Sequence, residues 1–185
     1  MLERPISDKT ELEHGFKVVE VGAHDPDLIA KVIEIDLTTF SEPTWSRYTA
    51  GLMLRHGRTF LLMEGGVIVG TCQVIRSWDR PSEAVLFSMA IRPGYRNRGV
   101  GTLFLRGVLE SLRSSGVRSV VLEVDPSNRA AMKVYTEKFG FHPVSELEDE
   151  YGPGQHRLQM RKLLQDDALR QLPAITEFPA APSAK

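Results

Sequence analysis

The stretch that decides the fold is Ala84-Val85-Leu86-Phe87-Ser88-Met89-Ala90-Ile91-Arg92-Pro93-Gly94-Tyr95-Arg96-Asn97-Arg98-Gly99-Val100-Gly101, continued to Leu112. The apolar run Ala84–Ile91 is short, lacks helical spacing and stops at Pro93-Gly94, which predicts a buried strand. Beyond it, Val100, Leu103, Phe104, Gly107, Val108 and Leu112 recur at three- and four-residue steps. That is the apolar face of a helix, ended by Ser114-Ser115-Gly116. A strand therefore feeds a helix through a basic, glycine-containing turn. The first N–H groups of a helix have no internal partners and lie at the positive end of its dipole. Gly99 and Gly101 leave those groups open to approach, and Arg92, Arg96 and Arg98 supply charge for phosphate oxygens. Such a turn suits a diphosphate.

Three phosphate-binding patterns compete for it. A Walker loop needs Lys and then Ser or Thr after its second glycine, and Val100-Gly101 stand there instead. A dinucleotide fingerprint needs a small residue three after Gly101, where Phe104 would prevent close helix–strand packing. Arg96-x-x-Gly99-x-Gly101 after a strand resembles the pyrophosphate loop of the GNAT N-acetyltransferase superfamily. The resemblance implies an acetyl-CoA site built from Arg96, Asn97, Arg98, Gly99, Val100, Gly101 and Thr102. It also implies that the backbone of Met89, Ala90 and Ile91 binds the pantetheine like an added strand.

Outward from this centre, residues 1–15 are polar and charged and read as a loose leader. Phe16–Val21 reads as a strand. Pro26 opens a helix with the face Leu28, Ile29, Val32, Ile33, Ile35 and Leu37, and Thr44 is placed to cap a second helix running toward His56. The strands Thr59–Met63 and Val67–Ile75 are separated only by Glu64-Gly65-Gly66, a tight hairpin signal. Cys72, within the second of them, reads as a small core residue. After the central helix come a strand at Ser119–Val124, a helix at Arg129–Phe139 ended by Gly140, and two closing strands at Phe141–Glu148 and Arg157–Leu164. The order is β α α β β β α β α β β. This predicts an α/β fold, a mixed and mostly antiparallel sheet with helices on both faces, similar to a GNAT domain over residues 16–164. Residues 165–185 form a tail, read either as disordered or as a clasp.

A second match lies in Leu122-Glu123-Val124-Asp125-Pro126-Ser127-Asn128-Arg129-Ala130-Ala131-Met132-Lys133-Val134-Tyr135, continued by Lys138-Phe139-Gly140-Phe141. It resembles the second signature of GNAT enzymes, closest in motif to the subgroup that acetylates protein N-termini, including the ribosomal-protein alanine acetyltransferases. The resemblance assigns Asn128 to the pantetheine arm and Tyr135 to the thiol. A phenol with an ordinary pKa of ~10 stays protonated at neutral pH and can donate to a departing thiolate, whose conjugate acid titrates near ~8.5. An amine nucleophile must be neutral, so a base is required. Glu123 at the strand's end is the candidate, with Glu83 and Glu64 as alternatives.

On the acceptor side, Phe40, Pro43, Trp45 and Ser46 lie between the first two helices, similar to the substrate loop of that subgroup, and Tyr151 looks like a further peptide contact. The hairpin carrying Tyr151 departs from the subgroup: it is short, holds Gly152-Pro153-Gly154 and lacks a paired tyrosine. Glu146, Glu148, Asp149 and Glu150 cluster there, either to attract a cationic amine or as a solvated face.

The chain has 185 residues, 42% hydrophobic and 25% charged, with a formal net charge of −1. One domain is expected, without the broad positive field that nucleic-acid binding needs. Cys72 is the single cysteine, so no intrachain disulfide forms and a reducing, cytoplasmic setting is expected. No apolar run approaches the ~20 residues of a membrane span, and the five histidines show no metal-ligand spacing. The expectation is an acetyl-CoA-dependent N-acetyltransferase without a metal, acting as a monomer or homodimer. Its acceptor is a protein or peptide α-amine. A small-molecule amine and a non-catalytic CoA-binding module stand as alternatives.

Overall fold

Alternation of apolar and polar residues sets the sheet, and Gly-rich turns set its hairpins. A computed structural model describes residues 3–5, 11–12, 15–21, 26–39 and 46–164. Its strands are β1 (Glu3–Pro5), β2 (Glu11–Leu12), β3 (Phe16–Val21), β4 (Arg58–Glu64), β5 (Val67–Arg76), β6 (Glu83–Ile91), β7 (Ser119–Val124), β8 (His142–Leu147) and β9 (Arg157–Leu163). Its helices are α1 (Pro26–Thr39), α2 (Arg47–His56), α3 (Val100–Ser114) and α4 (Arg129–Lys133). From Phe16 onward this is the predicted order. Glu64 pairs with Val67, and Gly65 and Gly66 take φ of 54° and 83°, as a two-residue hairpin turn demands.

The sheet runs β1-β3-β4-β5-β6-β7-β9-β8, with β2 also on β3. Among the described strands every pairing is antiparallel except β6–β7. One face carries α3, whose Val100, Phe104, Leu105, Val108 and Leu112 pack on Phe60, Leu62, Cys72, Leu86, Val120, Leu122 and Met160. The other face carries α1 and α2, with Leu28, Ile29, Val32, Ala50 and Leu54 on Val19, Val21 and Leu61. Each fully buried side chain of this size contributes about 1.5–3 kcal/mol, so the two cores clamp the sheet from both sides.

The irregularity that matters lies in β6. Gln73 of β5 faces Ser88 and Val74 faces Leu86, so Phe87 is an extra residue in the ladder. A one-residue insertion flips every later side chain to the other face. Ala84 and Leu86 belong to the α3-side core before the bulge, and Met89 and Ile91 pack against that core after it. Pairing with β7 stops at Leu86–Leu122. Beyond that level the two parallel strands part.

Several expectations are corrected. Glu3–Pro5 and Glu11–Leu12, within the expected loose leader, pair with β3. On α1, Leu37 is 50% exposed and Asp36 takes the buried position. The cap of α2 is Ser46, whose hydroxyl accepts the Thr49 N–H at 3.1 Å in a capping box. Phe40, Pro43, Thr44 and Trp45 lie outside the described residues, as does the tail from residue 165. The predicted helix at Arg129–Phe139 is α-helical only to Lys133 and continues as a π-helical turn, Val134–Lys138, that carries Tyr135.

Candidate active site

The start of α3 is open. Its first bond runs from the Leu103 N–H to the Gly99 carbonyl at 3.0 Å, and no side chain caps the helix. The amides of Val100, Gly101 and Thr102 therefore lack intrahelical partners. Asn97 and Gly99 take positive φ, 59° and 76°, which winds the backbone ahead of the helix into a concave donor array. A methyl group on Gly101 would lie 3.9 Å from Ile91 Cγ1 and 4.0 Å from Met89 Cε. The helix start therefore sits against the end of β6. Uncapped amides of this kind fit the diphosphate of acetyl-CoA.

The arginines of the turn divide. Arg92 donates from Nε to the Ile68 carbonyl at 2.9 Å and pairs with Glu34 at 2.9 Å. Arg96 donates from Nε to the Ile91 carbonyl at 3.0 Å and from Nη2 to the Thr39 carbonyl at 3.4 Å. These two are struts joining the turn to β5, β6 and α1, which corrects the expectation of mobile charge. Arg98 rests over the Tyr95 ring, 5.9 Å from its centroid.

The chemical candidates lie on β7 and the segment that follows it. Tyr135 packs against the α3-side core, edge-on to Phe141 with ring centroids 5.7 Å apart. Burial pushes its phenol up to about 12, with Cys72 adding to the shift. Its hydroxyl makes no hydrogen bond to a described residue. Cys72 itself is fully buried, and burial pushes its thiol far above the ordinary range, so it remains an inert core residue. On β7, Val120, Leu122 and Val124 face the α3-side core, so alternation turns Glu123 to the opposite face. Glu123 thus lies just past the last β6–β7 pair on one face of the sheet, and Tyr135 packs on the opposite, α3-side face.

Glu123 is not alone. The Tyr151 hydroxyl, from the β8–β9 hairpin, donates to Glu123 Oε2 at 2.7 Å. Burial, then the hydrogen bond to Glu123, then the negative charge of Glu123 and Glu150 push the Tyr151 phenol up to about 12. The alternatives to Glu123 are placed elsewhere. Glu83 is buried at the far end of β6 and binds Arg161 at 2.9 Å and Ser119 at 3.1 Å. Glu64 ends β4, which β5 separates from β6, and hydrogen-bonds Tyr95 in the basic turn.

Asn128 caps α4, its Oδ1 accepting the Ala131 N–H at 3.1 Å, so the side chain predicted for the pantetheine arm is held by its own helix. Ser46, predicted as an acceptor contact, is engaged in the α2 cap. Met89, Ala90 and Ile91 lie on the part of β6 that β7 has left, in a position to add a strand-like ligand. The Tyr151–Glu123 contact escaped the sequence reading, and the Phe87 bulge was legible only as a local irregularity suggested at Ser88. A polar Ser88 within an apolar run was the one signal for the bulge; the contact joins residues 28 apart and left none. Among the described residues, no group of three or more His, Cys, Asp or Glu could hold a metal ion, and no helix is long and apolar enough to cross a membrane.

Residues 29–141, more than half of the chain, match the Acetyltransferase (GNAT) family. The ribosomal protein bS18-alanine N-acetyltransferase of Salmonella typhimurium (strain LT2) is 36% identical over 73 residues, 40% of this chain and 49% of that protein. The chain thus spans about half of that relative's length. The N-alpha-acetyltransferase MAK3 of Arabidopsis thaliana is 26% identical over 178 residues, 94% of this chain and 91% of that one. In fold, the chain is similar to the crystal structure of the ribosomal-protein-S18-alanine N-acetyltransferase from Escherichia coli, with a TM-score of 0.68 and 22% identity over 87% of this chain and 99% of that one.

Proposed function

Because the chain belongs to the acetyltransferase (GNAT) family, and is an N-acetyltransferase, we propose that it acetylates the N-terminal amine of a protein or peptide. The observation that supports this reading is an uncapped helix start set against the end of β6, where β6 and β7 part. The relatives named as N-terminal acetyltransferases support the choice of acceptor.

In this reading the amides of Val100, Gly101 and Thr102, with Arg98, hold the diphosphate, and the open backbone of Met89–Ile91 aligns the arm that follows. Acetyl-CoA, as co-substrate, supplies the thioester. Glu123 takes one proton from the arriving ammonium and passes it to water. The neutral amine then attacks the thioester carbonyl, and a C–N bond forms as the C–S bond breaks. Tyr135 donates a hydrogen bond to the sulfur as negative charge grows there. A second proton leaves nitrogen and ends on the sulfur, so the products are an amide, a thiol and one released proton.

The test is mass spectrometry after incubation with acetyl-CoA and three acceptor pools: peptides with free N-termini, peptides with only lysine amines, and small amines. Acetylation confined to α-amines is expected; transfer only to lysines or small amines, or no transfer, would overturn the reading. Independently, CoA at a hundred times its Kd should stabilise the fold by about 2.7 kcal/mol and raise Tm by roughly 5–10 °C.

A further inference from the structure

We propose that Tyr151 is a positioning residue for Glu123: the β8–β9 hairpin brings its phenol onto one carboxylate oxygen, which fixes the base and leaves the other oxygen to the amine. This rests on the reading of Glu123 as the base and goes beyond a peptide contact for Tyr151.

The hairpin is built to hold that ring. Asp149 sits at φ 52°, a left-handed position for a non-glycine residue. Its Oδ1 accepts the Gly154 N–H at 2.6 Å, and its own N–H donates to His156 Nδ1 at 3.2 Å. The Gly152 N–H reaches the Asp149 carbonyl at 3.0 Å, and the Gln155 N–H reaches the Gly152 carbonyl at 2.9 Å. Gly152 and Gly154 take φ of 127° and 77°, so the tight return needs glycine at both positions. The Arg157 guanidinium lies over the Tyr151 ring, 4.8 Å from its centroid. The phenol is therefore fixed by the loop beneath it, by a cation on its face and by its hydroxyl.

The choice of a phenol has a chemical reason. An arginine or lysine bonded to Glu123 would strongly favour the carboxylate's charged form and weaken it as a base. A neutral O–H donor orients the carboxylate without setting a full positive charge against it. Arg157 meets the ring through its π face, so its charge supports the tyrosine without forming an ion pair with the base. A catalytic group misplaced by about 1 Å can cost roughly 100-fold in rate, which is the scale of benefit such an anchor offers.

The experiment uses acetyl-CoA and a hexapeptide beginning with alanine, with Tyr151→Phe, Glu123→Gln and the double variant. Tyr151→Phe should lower kcat by roughly 10- to 100-fold while peptide KM moves by no more than about twofold. The charged and titratable neighbours Asp149, Glu150, His156 and Arg157 on the hairpin and Asp125 after β7 are unchanged by the substitution. In the Glu123→Gln background, Tyr151→Phe should have no further effect. Stabilisation by CoA should be the same in all variants, which also reports that they fold. A raised KM with unchanged kcat, or additive losses in the double variant, would overturn the proposal. If Glu123→Gln keeps wild-type turnover, the base assignment falls and this inference with it. If Glu123→Gln is impaired and Tyr151→Phe is not, only this inference falls.

Discussion

Tyr135 is where chemistry and environment disagree with the simplest expectation. A phenol pushed up to about 12 by burial is a far weaker acid than a thiol that titrates near ~8.5. In the proposed reaction, full proton transfer to the departing sulfur is therefore uphill, and the contribution assigned to Tyr135 is a hydrogen bond that strengthens as the sulfur gains charge. Tyr135→Phe should lower kcat by roughly 100- to 1,000-fold while CoA stabilisation persists, as steady-state kinetics and a thermal shift would report. Equal turnover of the variant would assign the sulfur another donor. The residue type and its spacing from Glu123 were readable in the sequence, because both belong to one short local motif. Arg96 was readable only as a cation. Its commitment to the Ile91 and Thr39 carbonyls depends on chain that the fold brings from another element.

At the scale of elements, the decisive feature is the bulge in β6, and beyond it Gly70 of β5 faces Ile91 across the ladder. A methyl group at Gly70 would lie 2.6 Å from Ile91 Cδ1 and 3.0 Å from the Ala90 carbonyl oxygen. Gly70→Ala should cost about 1–3 kcal/mol by overpacking, lowering Tm by a few degrees per kcal/mol in a chain of this size. Ile91 also lies under Gly101, so the same substitution should weaken CoA binding; denaturation and a CoA titration measure the two effects. Unchanged stability would mean that Ile91 relaxes freely and that the close fit is not structural. The strands, helices and hairpins around this point were legible because period-2 and period-3.6 patterns and Gly-Gly turns are local signals. Neither the bulge nor the π-helical turn under Tyr135 changes those patterns enough to be read.

For the whole molecule, the raised phenols make stability pH-dependent only on the alkaline side. The native state keeps on Tyr135 and Tyr151 protons that the unfolded chain, with ordinary tyrosines near ~10, gives up first. Their contribution is complete below pH ~10 and is lost as pH rises toward 12. Tyr135 should dominate, since Tyr151 is 56% exposed and screened by solvent. Denaturation midpoints measured between pH 9 and 12 should fall, and Tyr135→Phe, which cannot ionise, should flatten the decline. An equally steep decline in the variant would place the alkaline sensitivity elsewhere. Read alone, the amino-acid order determined the succession of elements, the helix start with open amides and the two motifs that carry the chemistry, because each rests on residues close in the chain. The tertiary structure decided that β6 and β7 part after Leu86, that Glu123 and Tyr135 lie on opposite faces of the sheet, that two of three arginines are struts, and that Tyr151 reaches Glu123. Those outcomes depend on ladder register and on contacts between distant segments, and a single inserted residue reverses every face that follows it.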